Sequence, residues 1–219
     1  MDMKDNETSL ALRSVAEELA AAITHGVGLF LALAGIAYLS LVISSNFNFP
    51  RLLAFLVYST SIFLLYLSST IYHSKKSVES KLFWRKIDYF CIYILIAGTY
   101  TPFFLLALSP SWAIPLLGIV WGFGFAGSFI TFFQVPYWKI IAVSLYLTLG
   151  WIGLVAARPL FISLEGEIIA WILAGGIIYT VGVLFYAWDN LSFNHSIWHC
   201  FVLVASFCHW MAVAGILEA

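Results

Sequence analysis

Five histidines occur among the 219 residues, and three of them stand in one stretch, "DNLSFNHSIWHCFVLVASFCHW", from Asp189 to Trp210. His195 and His199 are four residues apart, which on a helix puts both imidazoles on one face, one turn from each other. Two such side chains can share a metal ion, or can simply hydrogen-bond as packing residues. His73, in "SSTIYHS", can supply a third nitrogen. Three histidines leave one position of a tetrahedral zinc centre open, the arrangement of a catalytic rather than a structural site. Zinc held this way lowers the pKa of its water to about 7. Unlike an HExxH helix, this one has Ser196 after His195, so any base must come from another helix. Asp88, in "KIDYFCIYILIAGTY", is the candidate base, and Ser69, one turn before His73, a candidate hydrogen-bond donor.

These residues must be positioned by helices in a membrane. The chain is 63% hydrophobic and 10% charged, whereas a soluble domain carries about 25% charged residues. Seven apolar runs are each about as long as the 20 residues that a bilayer core demands. They fall at 23–44, 52–73, 87–108, 112–133, 138–157, 166–187 and 197–217. The breaks between them are short, so the fold class expected is an all-α integral membrane protein, one seven-helix transmembrane domain over residues 23–217. Residues 1–22 form a polar segment in which "SVAEELAAAITHG" suggests a short interfacial helix. Ser14 and Glu17 there have capping-box spacing. No secretory signal pattern opens the chain, so the first apolar segment is expected to be retained. No basic stripe suits nucleic acid. Cys91, Cys200 and Cys208 lie in apolar context without CxxC spacing and read as packing residues.

Charge placement orients the bundle. With the N-terminus inside, Lys4, Arg13, Lys75, Lys76, Lys81, Arg85, Lys86 and Lys139 lie inside, against Arg51 and Arg158 outside. That asymmetry favours a cytoplasmic N-terminus and an external C-terminus. His73, Asp88, His195 and His199 then share one layer near the cytoplasmic face, although they come from three helices. An ionisable residue such as Asp88 within a span is a functional candidate by default. His209 lies about 15 Å farther along its helix than His199, too far to share an ion, and reads as a hydrogen-bonded packing residue. Thr99, Thr101 and Pro102 suggest a kink with hydroxyls meeting freed carbonyls.

"EELAAAITHGVG", "SSTIYHS", "KIDYFCIYILIAGTYTPF" and "NHSIWHCFVLVASFCHW" together resemble the bacterial hemolysin III proteins. That group lies within the progestin and adipoQ receptor superfamily, whose animal members include the adiponectin receptors. The resemblance runs from about residue 14 to the end. It implies a zinc ion on His73, His195 and His199, with Asp88 beside it and Ser69 as the family's serine. It also implies a first motif matched by Glu18 and His25, which would support the ligands from outside. Ala21 stands where that motif has Asn, so any hydrogen bond of the amide is missing here.

The leading expectation is a zinc-dependent intramembrane hydrolase of lipid amide or ester bonds, with a membrane lipid as substrate or ligand. The family's wider kin includes the alkaline ceramidases, and its bacterial members are linked to membrane lipid and energy homeostasis in the cytoplasmic (inner) membrane. The alternative is a zinc-braced sensor of membrane state without catalysis. A pore-forming haemolysin or transporter is disfavoured, because spans four to six carry almost no charge.

Overall fold

The computed structural model describes residues 14–219. Residues 1–13, which include Lys4 and Arg13, lie outside the described part. Seven helical stretches are long and apolar enough to cross a membrane, and no strand occurs among the described residues. The chain is an all-α, seven-span membrane bundle. In order, the helices are α1 (Val15–Ser45), α2 (Phe49–Ser74), α3 (Val78–Ala107), α4 (Pro110–Phe133), α5 (Trp138–Gly150), α6 (Ala157–Ser163), α7 (Gly166–Tyr186) and α8 (Asn194–Glu218). A 3-10 segment, Ile152–Ala156, joins α5 to α6 within the fifth span. Neighbours in sequence pack on one another, and α8 closes the bundle against both α7 and α1. α3 touches α2, α4, α5 and α8 and forms the centre.

Local chemistry sets the ends that matter. Ser14 accepts the Glu17 N–H and Glu17 takes the Ser14 N–H at 2.8 Å, so the capping box forms. From that cap the helix runs without a break through residues 15–22 into the first span. Glu17 also accepts the Phe193 N–H at 3.0 Å, and its carbonyl accepts from the Ser196 hydroxyl at 3.2 Å. The start of α1 is thereby fastened to the start of α8. Phe193 adopts a left-handed conformation, φ 59°, and α8 begins directly after it. His195 therefore lies in the first helical turn, two residues earlier than the apolar run alone implied.

Two further boundaries differ from the hydropathy reading. α3 starts at Val78, because Ser77 accepts the Ser80 N–H as its cap. This makes Lys81, Arg85 and Lys86 helical. The fifth span reaches Ser163 rather than residue 157, since Pro159 falls in the first turn of α6, where its missing N–H costs nothing. At the break before it, the Tyr100 hydroxyl of α3 donates to the Gly150 carbonyl and accepts the Gly153 N–H at 3.3 Å. Trp151 Nε1 donates to Thr180 Oγ1 at 3.0 Å. In α3, Thr101 Oγ1 donates to the Ala97 carbonyl at 2.8 Å and accepts from Trp121 Nε1 at 3.2 Å, beside Pro102. Cys91 and Cys208 are buried as expected, whereas Cys200 is exposed.

Backbone groups freed in an apolar layer must find partners, so the Tyr100 hydroxyl is central to the broken span. Tyr100→Phe is expected to lower unfolding stability in detergent by about 1–3 kcal/mol. An unchanged denaturation midpoint would contradict this.

Candidate metal centre

His73 ends α2, His195 and His199 open α8, and all three are buried. Their candidate ligand nitrogens lie within 4.8 Å of one another. His73 Nε2 faces His195 Nε2 at 3.2 Å. Two nitrogens each about 2.0–2.1 Å from a tetrahedral ion stand roughly 3.3 Å apart, so the His73–His195 pair is spaced as two ligands of one ion would be.

The outer atoms of the rings are held from α1. Glu18 Oε2 accepts from His73 Nδ1 at 2.8 Å and from Lys81 Nζ at 2.7 Å. With Nδ1 taken by the carboxylate, Nε2 of His73 is directed at the centre. His199 Nδ1 lies 3.3 Å from the Ala21 carbonyl and 3.4 Å from Thr24 Oγ1, which leaves its Nε2 free for the centre. The backbone at Ala21 thus contacts a candidate ligand histidine although the side chain carries no amide. His25 stacks face to face on His199, ring centroids 3.5 Å apart at 15°. Tyr66 packs edge-on against its ring at 5.2 Å. Both His25 nitrogens are buried without a partner.

Asp88 is buried and lines a cavity of about 190 Å³ together with His25, His195 and His199. The remaining walls are mostly apolar, from α3, α5, α6, α7 and α8, among them Phe103, Val143, Leu160 and Val202. Ser69 is fully buried one turn behind His73, its hydroxyl without a partner, and does not line the cavity. His209 does line it, at a distance from the cluster, with Nε2 3.2 Å from the Ile172 carbonyl. Its packing role is as expected, but its position on the cavity wall was not apparent from spacing.

The profile described as Haemolysin-III related matches residues 13–210. The chain belongs to the haemolysin III family. It is 38% identical over 193 residues to the Hemolysin-3 homolog of Bacillus subtilis (strain 168), covering 88% of this chain and 91% of that protein. It is 41% identical over 192 residues to Hemolysin-3 of Bacillus cereus, covering 88% of each. A more distant relative is the human monocyte to macrophage differentiation factor, 26% identical over 163 residues, 72% of this chain and 67% of that one.

In this haemolysin III family member, the sequence reading missed Lys81, Thr24 and the Ala21 carbonyl. Glu18, Ala21 and His25 recur at helical spacing on α1, a signal that they share a face. No sequence signal joins Glu18 to Lys81, which meet only through the fold.

Because Glu18 orients His73 from outside the ligand set, Glu18→Gln should weaken metal binding by about 10–100-fold while the bundle stays folded. Chelator competition on the purified protein measures this. Equal affinity in the variant would remove Glu18 from the account.

Proposed function

We propose that this membrane protein is a zinc-dependent hydrolase that cleaves an amide or ester bond of a lipid within the bilayer. The observation that carries the reading is a buried three-histidine cluster, two of whose members, His195 and His199, line a mostly apolar cavity together with Asp88. Three nitrogen donors with no thiolate suit zinc with an open coordination position. His73, His195 and His199 would hold the ion. When bound, zinc supplies Lewis acidity that polarises a carbonyl and makes water easier to deprotonate.

The chain's own groups take the remaining roles. The Asp88 carboxylate accepts the proton of the attacking water and returns it to the leaving group. The apolar walls hold the acyl chain and keep bulk water out. Glu18 and the Ala21 carbonyl fix the histidine rings from behind. His25 backs the His199 ring, whereas Ser69, buried one turn from His73 and away from the cavity, takes no direct part. The positive residues at the His73 end, Lys75, Lys76, Lys81, Arg85 and Lys86, support a cytoplasmic N-terminus and a site near the inner face of a bacterial cytoplasmic membrane.

A second reading has its own observation in favour. The contacts Glu18–His73, Ala21–His199 and His73–His195 tie α1, α2 and α8 together at one point. A metal there would brace the bundle, and the protein would act as a sensor of membrane state.

Hydrolysis separates the two. Zinc-loaded protein incubated with ceramides, other N-acyl lipids and phospholipids should release fatty acid from at least one class. Asp88→Asn should reduce that rate by about 10²–10⁴-fold while zinc remains bound. Metal-loaded protein that cleaves none of the panel, together with an Asp88→Asn variant that keeps cellular function, would favour the sensor.

A further inference from the structure

The cavity beside the metal centre extends along α3 and α8, and its wall includes Thr99 and His209 as well as Asp88 and His199. α3 and α8 are the third and seventh spans, so they run in the same direction, and they pack on one another. Thr99 follows Asp88 by eleven residues, and His209 follows His199 by ten. Each therefore lies about 15–17 Å farther along its helix. The two side chains share one depth, well away from the metal cluster.

The polar groups around them are already satisfied. Trp151 Nε1 donates to Thr180 Oγ1 at 3.0 Å, and the Thr180 hydroxyl donates to the Gly176 carbonyl at 2.8 Å. The Tyr100 hydroxyl is taken up by Gly150 and Gly153, and that of Tyr179 pairs with Ser206 at 2.8 Å. Thr99 and His209 differ. His209 Nε2 lies 3.2 Å from the Ile172 carbonyl, so Nε2 carries the proton and Nδ1 is an acceptor. A Cβ at Gly175 would strike the Nε2 edge of this ring. That edge is pressed on α7, and Nδ1 is turned away from it. Among the described residues neither His209 Nδ1 nor Thr99 Oγ1 has a hydrogen-bond partner, yet neither is sealed by packing as the Tyr58 hydroxyl is. Thr99 is 8% exposed on the central helix, and the cavity is the space it meets.

A mostly apolar site selects its ligand through its few polar groups. An unprotonated imidazole nitrogen can only accept, whereas a threonine hydroxyl can donate. A ligand hydroxyl serves both, giving its proton to Nδ1 and accepting from Thr99. A ketone leaves the imidazole unpaired, and a hydrocarbon leaves both groups unpaired, which is costly in an apolar layer. We infer that the far end of the cavity recognises a hydroxyl carried on the acyl chain of the ligand. This rests on the reading that the cavity takes a lipid acyl chain running outward from the metal centre. Carbon–carbon bonds of about 1.5 Å at about 111° give a rise of ~1.25 Å per carbon. A run of about 15 Å then puts the hydroxyl near the twelfth carbon.

The test is native mass spectrometry of the zinc-loaded full chain in detergent, offered equimolar pairs of free fatty acids. The chain should take up 12-hydroxystearic acid over stearic acid by about 2–10-fold, the worth of one neutral hydrogen bond. Neither 6-hydroxystearic acid, with its hydroxyl at the wrong depth, nor 12-oxostearic acid, with no proton to give, should match it. His209→Gln keeps an N–H for the Ile172 carbonyl and removes the Nδ1 acceptor. Thr99→Val keeps the side-chain shape and removes the hydroxyl. Each should bring the ratio toward one while stearic acid binds as before. Equal uptake of the two acids, an equal advantage for 6-hydroxystearic or 12-oxostearic acid, or a preference undiminished in either variant would overturn the inference and leave the acyl-chain reading standing. Uptake of neither acid would overturn both.

Discussion

The rest of the bundle is organised around the meeting of His73 and His195, nitrogen to nitrogen at 3.2 Å in a buried layer. Facing lone pairs in an apolar interior are costly unless a cation or a proton stands between them. The surrounding residues hold this arrangement in place. Glu18 grips His73 and is itself gripped by Lys81. The Ala21 carbonyl and Thr24 hold His199. Glu17 fastens α1 to the start of α8, so that the helix bearing two histidines and the helix bearing their supports cannot slide apart. Residues 17–24 of α1, about two turns, thus serve one end of the bundle.

Much of this could be read before any coordinates, because the decisive information is periodic. His195 and His199 share a helix face by spacing, and the alternation of spans brings His73 and Asp88 to their level. The seven spans follow from hydropathy alone. Contacts between distant parts of the chain carry no such period. Lys81 meets Glu18 although the two are 63 positions apart in the sequence. His25 had depth but no partner in the sequence, and only packing places it flat on His199. Helix ends were misjudged where caps overrode hydropathy, as at Ser77 and Phe193. The fifth span was read short because Arg158 and Pro159 look like a loop, although proline is compatible with a first helical turn.

The cavity gives the cluster its functional meaning. A brace alone needs no space beside it, yet His195, His199 and Asp88 line a mostly apolar chamber that reaches His209. Its walls come from α3 and from helices of the second half of the chain, whereas the groups that hold His73 and His199 from outside come from α1. The family relationship is compatible with such a reading, and the residues that would do the chemistry are those that the geometry brings together.

The central claim is that His73, His195 and His199 bind one zinc ion. X-ray absorption at the zinc edge on the purified full chain tests it most directly. The account predicts one zinc per chain with three imidazole nitrogens at about 2.0–2.1 Å and no sulfur ligand, and loss of that signature in His199→Ala. A protein that copurifies with no zinc and takes up none, or a spectrum showing thiolate ligation that survives His199→Ala, would contradict it.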